Sequence, residues 1–199
     1  MKKLLLCLLA FSVVSSAHAQ VMKKTSSSRS MKPAKKVIVY EEGKGVFAPS
    51  GWMGDVGCIK ADPNCRVKPK TGKFCSKWTY DNSKGASQGW AGVYWLYPEN
   101  NWGGKKGMDL SGHKRLSFWI RGETGKEVVS IKMGGVKGDF PDTVTKELNE
   151  LKLGSQWKQY SIDLTGRDLS NISGGFCWTA DGKLNPKGCT FYLDEVVYE

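Results

Sequence analysis

"RLSFWIRGETGKEVVSIKM", residues 115–133, decides the fold. Leu116, Phe118 and Ile120 fall on one side of an extended chain, and Ser117, Trp119 and Arg121 on the other. That two-residue period marks a half-buried strand. "GETGK" supplies a turn. "EVVSIKM" (127–133) then returns as a second strand, with Ser130 and Lys132 repeating the outward pattern of Trp119 and Arg121. The same texture recurs in "KKVIVYE" (35–41), "GWAGVYWLY" (89–97), "QWKQYSIDL" (156–164), "GGFCWTA" (174–180) and "CTFYLDEVVYE" (189–199), with weaker pieces near Ile59 and over 74–80. Only "DTVTKELNEL" (142–151) is a candidate helix. Strands separated by glycine-rich turns, without intervening helices, predict an all-β chain folded as an antiparallel β-sandwich.

The ends of the chain read differently. "MKKLLLCLLAFSVVSSAHA" (1–19) has a basic start, an apolar run and a small-x-small end, the layout of a secretory signal peptide cleaved before Gln20. The apolar run is too short to span a bilayer, and Cys7 lies inside it rather than at its end, which argues against a lipid anchor. Residues 20–36 form a Ser/Lys-rich arm with six basic side chains and no acid. Removing these six and the two lysines of the leader from the formal +11 leaves +3 for residues 37–199. The arm therefore reads as a basic disordered spacer with a possible surface contact, and the body as one domain. Phosphate contacts would fall to the arm alone, which disfavours a nucleic-acid role. The expected localisation is secreted or periplasmic.

In an exported chain, Cys58, Cys65, Cys75, Cys177 and Cys189 suggest two disulfides and an odd thiol. Cys65–Cys75 and Cys177–Cys189 are favoured because each pair brackets a loop. Zinc ligation fails on spacing. The segment 43–88 is long and rich in Gly, Lys and Pro, and loops of this kind on a sheet scaffold concentrate binding residues. In "PSGWMGD" (49–55), Trp52 stands outside any regular strand face, as a plug or an exposed platform. In "YPENNWGG" (97–104), Pro98 ends the preceding strand, so Trp102, with Asn100 and Asn101, belongs to a loop.

The ordered set "GWAGVYW", "DLSGHKRLSFWIRGE" (109–123), "WKQYSIDLTG", "GGFCW" and "TFYLDEV" (190–196) resembles the jelly-roll sandwiches of the galactose-binding-like fold, found as carbohydrate-binding modules beside bacterial glycoside hydrolases. The resemblance spans about residues 37–199. It implies a polysaccharide or oligosaccharide partner and no catalysis. Sugar rings stack on flat aromatics, and their hydroxyls seek planar polar groups. The expected ligand residues are Trp102, Asn100 and Asn101, then Trp119 and Arg121, then Trp52. For Trp119 the competing expectation is burial beneath the 43–88 loops. The resemblance also implies a structural calcium between Glu42, with Glu41 as the register alternative, and Asp194.

Asp55, Asp62, Asp81, Glu99, Asp139 and Asp142 could serve a glycosidase, but none sits in an acid–base motif. His113 lacks a nucleophile motif around it. The alternatives to carbohydrate binding are an envelope structural or protein-binding sandwich and, behind it, a secreted glycan-active hydrolase.

Overall fold

The computed structural model describes residues 35–84 and 87–199; the proposed signal peptide and all but the last two residues of the arm lie outside them. Eleven strands make two antiparallel sheets: β1 (Val37–Tyr40), β2 (Ala48–Gly54), β3 (Ile59–Cys65), β4 (Cys75–Tyr80), β5 (Trp90–Leu96), β6 (Arg115–Gly122), β7 (Val128–Gly134), β8 (Thr145–Lys152), β9 (Lys158–Asp163), β10 (Gly174–Asp181) and β11 (Cys189–Tyr198). Sheet I has the order β3-β4-β11-β6-β9, with β1 also paired to β11. Sheet II has the order β2-β5-β10-β7-β8.

The deciding stretch keeps its two strands but does not form a hairpin. β6 pairs with β11 and β9 in sheet I, whereas β7 pairs with β10 and β8 in sheet II. The turn between them is an arch from one layer to the other. Buried Glu127 staples it, accepting the backbone N–H groups of Thr124, Gly125 and Lys126 and the Thr124 hydroxyl, all within 2.7–2.9 Å. Because the chain changes sheet, Trp119 and Arg121 face outward on one side of the sandwich, and Ser130 and Lys132 on the other.

The inner faces fill the core expected from alternation: Leu116, Phe118 and Ile120 from β6 meet Val129, Ile131 and Met133 from β7, all essentially buried. At its centre Trp78 contacts Trp95 (centroids 5.2 Å) and Trp178 (5.3 Å), and Trp178 contacts Phe191 (5.0 Å). Tilted and edge-on pairs of this kind contribute roughly 0.5–1.5 kcal/mol each beyond area burial.

Two segments differ from expectation. Residues 145–152 form strand β8, not a helix. Its pairing shifts between Val129/Leu151 and Ile131/Leu148, and Glu150 takes a positive φ of 50° there. The bulge spaces Leu148 and Leu151 three apart along the sequence while both face inward, so a strand acquires a helical period. Second, Trp52 lies within strand β2. The strand was hidden by its proline and two glycines, which suit an edge strand with a bulge between Pro49 and Gly51.

Candidate binding face on the second sheet

In β5, Val93 and Trp95 point into the core, while Tyr94 and Leu96 emerge on the outer surface of sheet II, where they cluster with Cys177 and Val136. Gly51, Tyr94, Cys177, Lys132 and Glu147 align in one row across all five strands. Met53, Gly92, Thr179 and Ser130 form the next.

Trp102 stands over this sheet at 46 % exposure. Its ring meets Tyr94 edge-on, 5.9 Å between centroids at 84°. Tyr94 is fixed in turn by its hydroxyl, which donates to Gly134 O at 3.0 Å. Gly51 clears the floor: a Cβ there would lie 2.7 Å from Tyr94 Cβ and 3.1 Å from the Trp102 ring. The indole therefore rests against the strand backbone with one side open.

The Trp102 loop is held from within. Asn101 is buried; its amide N–H groups reach Tyr97 O, Lys105 O and Ser173 Oγ at 2.9–3.1 Å, and its Oδ1 accepts from Gly103 N and Lys105 N. Its capacity is filled, so it anchors the loop and does not face a ligand. Asn100 is exposed beside Trp102, and its backbone N–H donates to Ser50 Oγ. A second loop locks onto the first through Phe140 N to Gly103 O, 2.9 Å, and leaves Phe140 itself 46 % exposed. The sequence offered no signal for Phe140 beyond an aromatic beside Pro141. Asp142 ties this loop down, accepting from Val136, Ser173 and Gly174 N–H. Burial raises its pKa above the ordinary carboxylate value against the pull of those three donors.

The remaining expected ligand residues lie elsewhere. Trp119 and Arg121 are on the outer surface of sheet I, beneath a strap, residues 66–74. Lys70 Nζ sits 4.3 Å over the Trp119 ring. Arg121 is buried, lies 3.6 Å over Tyr192 and donates to Val67 O at 3.0 Å. Trp157 also holds the strap, through Nε1 to Lys68 O. Trp52 is 43 % exposed at the side of the sandwich, its ring 6.0 Å from Trp78. The six residues do not share one surface.

Glu42 and Asp194 also serve the strap. Glu42 accepts from Lys73 N and Phe74 N; Asp194 accepts from Lys70 N, Thr71 N and Glu195 N. Burial raises the Asp194 pKa against these bonds. Calcium requires a shell of oxygen donors, and here N–H groups occupy the space before both carboxylates. Among the described residues no three His, Cys, Asp or Glu side chains gather as a metal site. The donor set does not fit the implied ion.

None of the five described cysteines is bonded to another. Cys65 and Cys75 face each other across β3 and β4. The expected Cys177–Cys189 pairing fails on topology, since Cys177 belongs to the outer cluster of sheet II and Cys189 to the main core. Of the carboxylates considered for catalysis, Asp55 accepts from Ser87, Gln88 and Gly89 N–H, Asp62 from Asn64 N and Asp81 from Ser83 N. His113 is buried between Leu110 O and Lys35 O.

A two-layer sandwich with one outer face roofed and the other bearing an exposed tryptophan on a glycine-cleared floor has the form of a ligand-binding β-module. Residues 49–194 match the family described as carbohydrate binding domain 30, and the chain belongs to that family. Solved structures agree in fold. A family 30 carbohydrate-binding module superposes with a TM-score of 0.57 at 17 % identity, covering 83 % of this chain and 99 % of that one. The family 30 module of the Clostridium thermocellum cellulosomal cellulase Cel9D-Cel44B gives 0.55 at 16 %, covering 83 % and 98 %. The C. thermocellum family 11 module, solved with a β-1,3-1,4-mixed-linked tetrasaccharide, gives 0.53 at 17 %, covering 82 % and 94 %. No curated protein sequence matches.

Proposed function

We propose that the protein is an exported, non-catalytic module that binds a polysaccharide or oligosaccharide on the outer surface of sheet II. Trp102 is the stacking platform, Phe140 a second apolar contact, and Asn100, Lys132, Ser130, Thr179 and Glu147 the polar partners of the sugar hydroxyls. The observation that carries this reading is an indole left nearly half exposed on a loop that Asn101 and Asp142 hold rigid. A rigid aromatic binds at low entropic cost, and family membership supplies the ligand class. The leader sequence supports a secreted or periplasmic location, and among the described residues no helix is long and apolar enough to cross a membrane. In an oxidising compartment, Cys65 and Cys75 are the pair placed to join. The strap is read as independent of metal.

The test is a glycan-array screen, with mixed-linked β-glucan among the probes, run on the wild type, Trp102→Ala and Trp119→Ala. Binding lost in the first variant and kept in the second supports the face. Binding lost only with Trp119→Ala moves the site to sheet I, and a blank array from folded wild type refutes the carbohydrate reading.

A further inference from the structure

The sandwich has a second opening, away from the face of Trp102. Between edge strand β2 and the β1–β3 side of sheet I lies a cleft of about 500 Å³. Its lining includes Tyr40, Phe47, Trp52, Ser76, Trp78 and Trp95. That volume is within the range of small-molecule sites. Ser76 and Trp78 occupy alternate positions of β4 on its inner, buried side, so both side chains project toward the cleft. Both are 1 % exposed. Ser76 Oγ and Trp78 Nε1 are two of only four buried side-chain polar atoms without a hydrogen-bond partner among the described residues. The Tyr40 hydroxyl, which also borders the cleft, is already engaged with Pro63 O at 2.7 Å.

An orphaned buried donor is unfavourable unless something meets it. Here two donors sit behind aromatic walls, and both can give a hydrogen bond to an acceptor oxygen. A free sugar fits poorly: it would carry several hydroxyls into a cavity with two groups to receive them, and each unmatched hydroxyl is costly to desolvate. A flat, apolar group with one strong acceptor fits the inventory. Neither orphaned atom has accessible surface, so a wall must yield for contact. Trp52 is the wall with freedom to do so, being exposed, on an edge strand and next to a bulge.

We propose that this side cleft is a separate binding site for an aryl carbonyl group, an aromatic ketone, aldehyde or ester, with the ring entering between Trp78 and a Trp52 displaced from its 6.0 Å contact and the carbonyl oxygen accepting from Ser76 Oγ or Trp78 Nε1. The site does not depend on the glycan reading of sheet II. The test follows the indole N–H resonances of the ¹⁵N-labelled protein during titration with acetophenone, and with toluene as the matched ring without an acceptor. The expected result is a saturable shift of the Trp78 indole signal at millimolar acetophenone, with toluene at least fivefold weaker. Ser76→Ala removes only an unpartnered hydroxyl, so it should remain folded and narrow the acetophenone–toluene difference. Trp52→Ala should weaken acetophenone at least fivefold, and Trp102→Ala should leave it unchanged. No saturable shift, equal affinity for toluene, or shifts that vanish with Trp102→Ala would each overturn the proposal.

Discussion

Replacing Trp102 by alanine separates a binding aromatic from a structural one. About half of the ring is covered, chiefly by Tyr94 and the Gly51 backbone. Losing roughly 100 Å² of buried apolar contact costs about 2 kcal/mol, a fall in Tm of about 4–8 °C for a domain of this size. The open side of the ring adds nothing to folding and everything to ligand contact. A truncated aromatic hot spot costs roughly 1–3 kcal/mol of binding, or about 5- to 150-fold in Kd. The assay is calorimetric titration with soluble mixed-linked β-glucan at 25 °C, where the variant stays folded, alongside thermal unfolding. Trp102→Phe, which keeps a ring, should fall between. Trp95→Ala is the contrast, since burial throughout its ring predicts a loss of about 3–5 kcal/mol of stability. An unchanged Kd in folded Trp102→Ala, or a loss of stability as large as that of Trp95→Ala, would refute the assignment of Trp102 to the ligand.

Arg121→Ala should leave glycan affinity unchanged while destabilising the fold by about 2–3 kcal/mol in urea unfolding, because it frees Val67 O and strips the stack on Tyr192. Glu127 makes a pH-dependent contribution. Burial pushes its pKa up, but the Thr124 and Lys126 donors outweigh it and hold the folded pKa below the ordinary 4.5. A depressed carboxylate stabilises fully above its unfolded pKa and loses that contribution as pH falls through the folded one. The Tm gap between wild type and Glu127→Gln should therefore be full at pH 6 and shrink below about pH 4.5; a gap that widens on acidification would reverse the sign of the argument. Chelation with EDTA should move Tm by less than about 1 °C, within the scatter expected where no ligand is linked to folding, and a larger fall would restore the calcium site.

The sandwich was legible where alternation is uninterrupted. Leu116, Phe118 and Ile120 announced their face, and the strands around Trp90, Tyr160 and Phe191 followed. β8 and β2 were not legible as strands, one because a bulge converts its inward spacing to three, the other because an edge strand tolerates Pro49 and Gly51. The sheet assignment of β6 and β7 was also out of reach: a five-residue turn looks the same whether it joins neighbours or layers. That single ambiguity hid the fact that Trp119 and Arg121 look outward from sheet I, away from the face of Trp102. Trp102 was readable because proline and two glycines isolate it. Asn101 could not be told from Asn100, because only the folded loop brings Tyr97, Lys105 and Ser173 around one of them. The acids at 42 and 194 meet the same strap, but their partners are N–H groups 31 and 32 residues from Glu42 in sequence and more than a hundred from Asp194.

The strap over sheet I makes the domain one-sided. Sheets stacked back to back could in principle each hold a chain and so cross-link two polymers. With Trp119, Arg121 and Tyr192 roofed, only one broad surface remains, and a polymer lying on it leaves the other side of the molecule facing away. With a glycan on sheet II as proposed, such a domain decorates a fibre without gluing it to another.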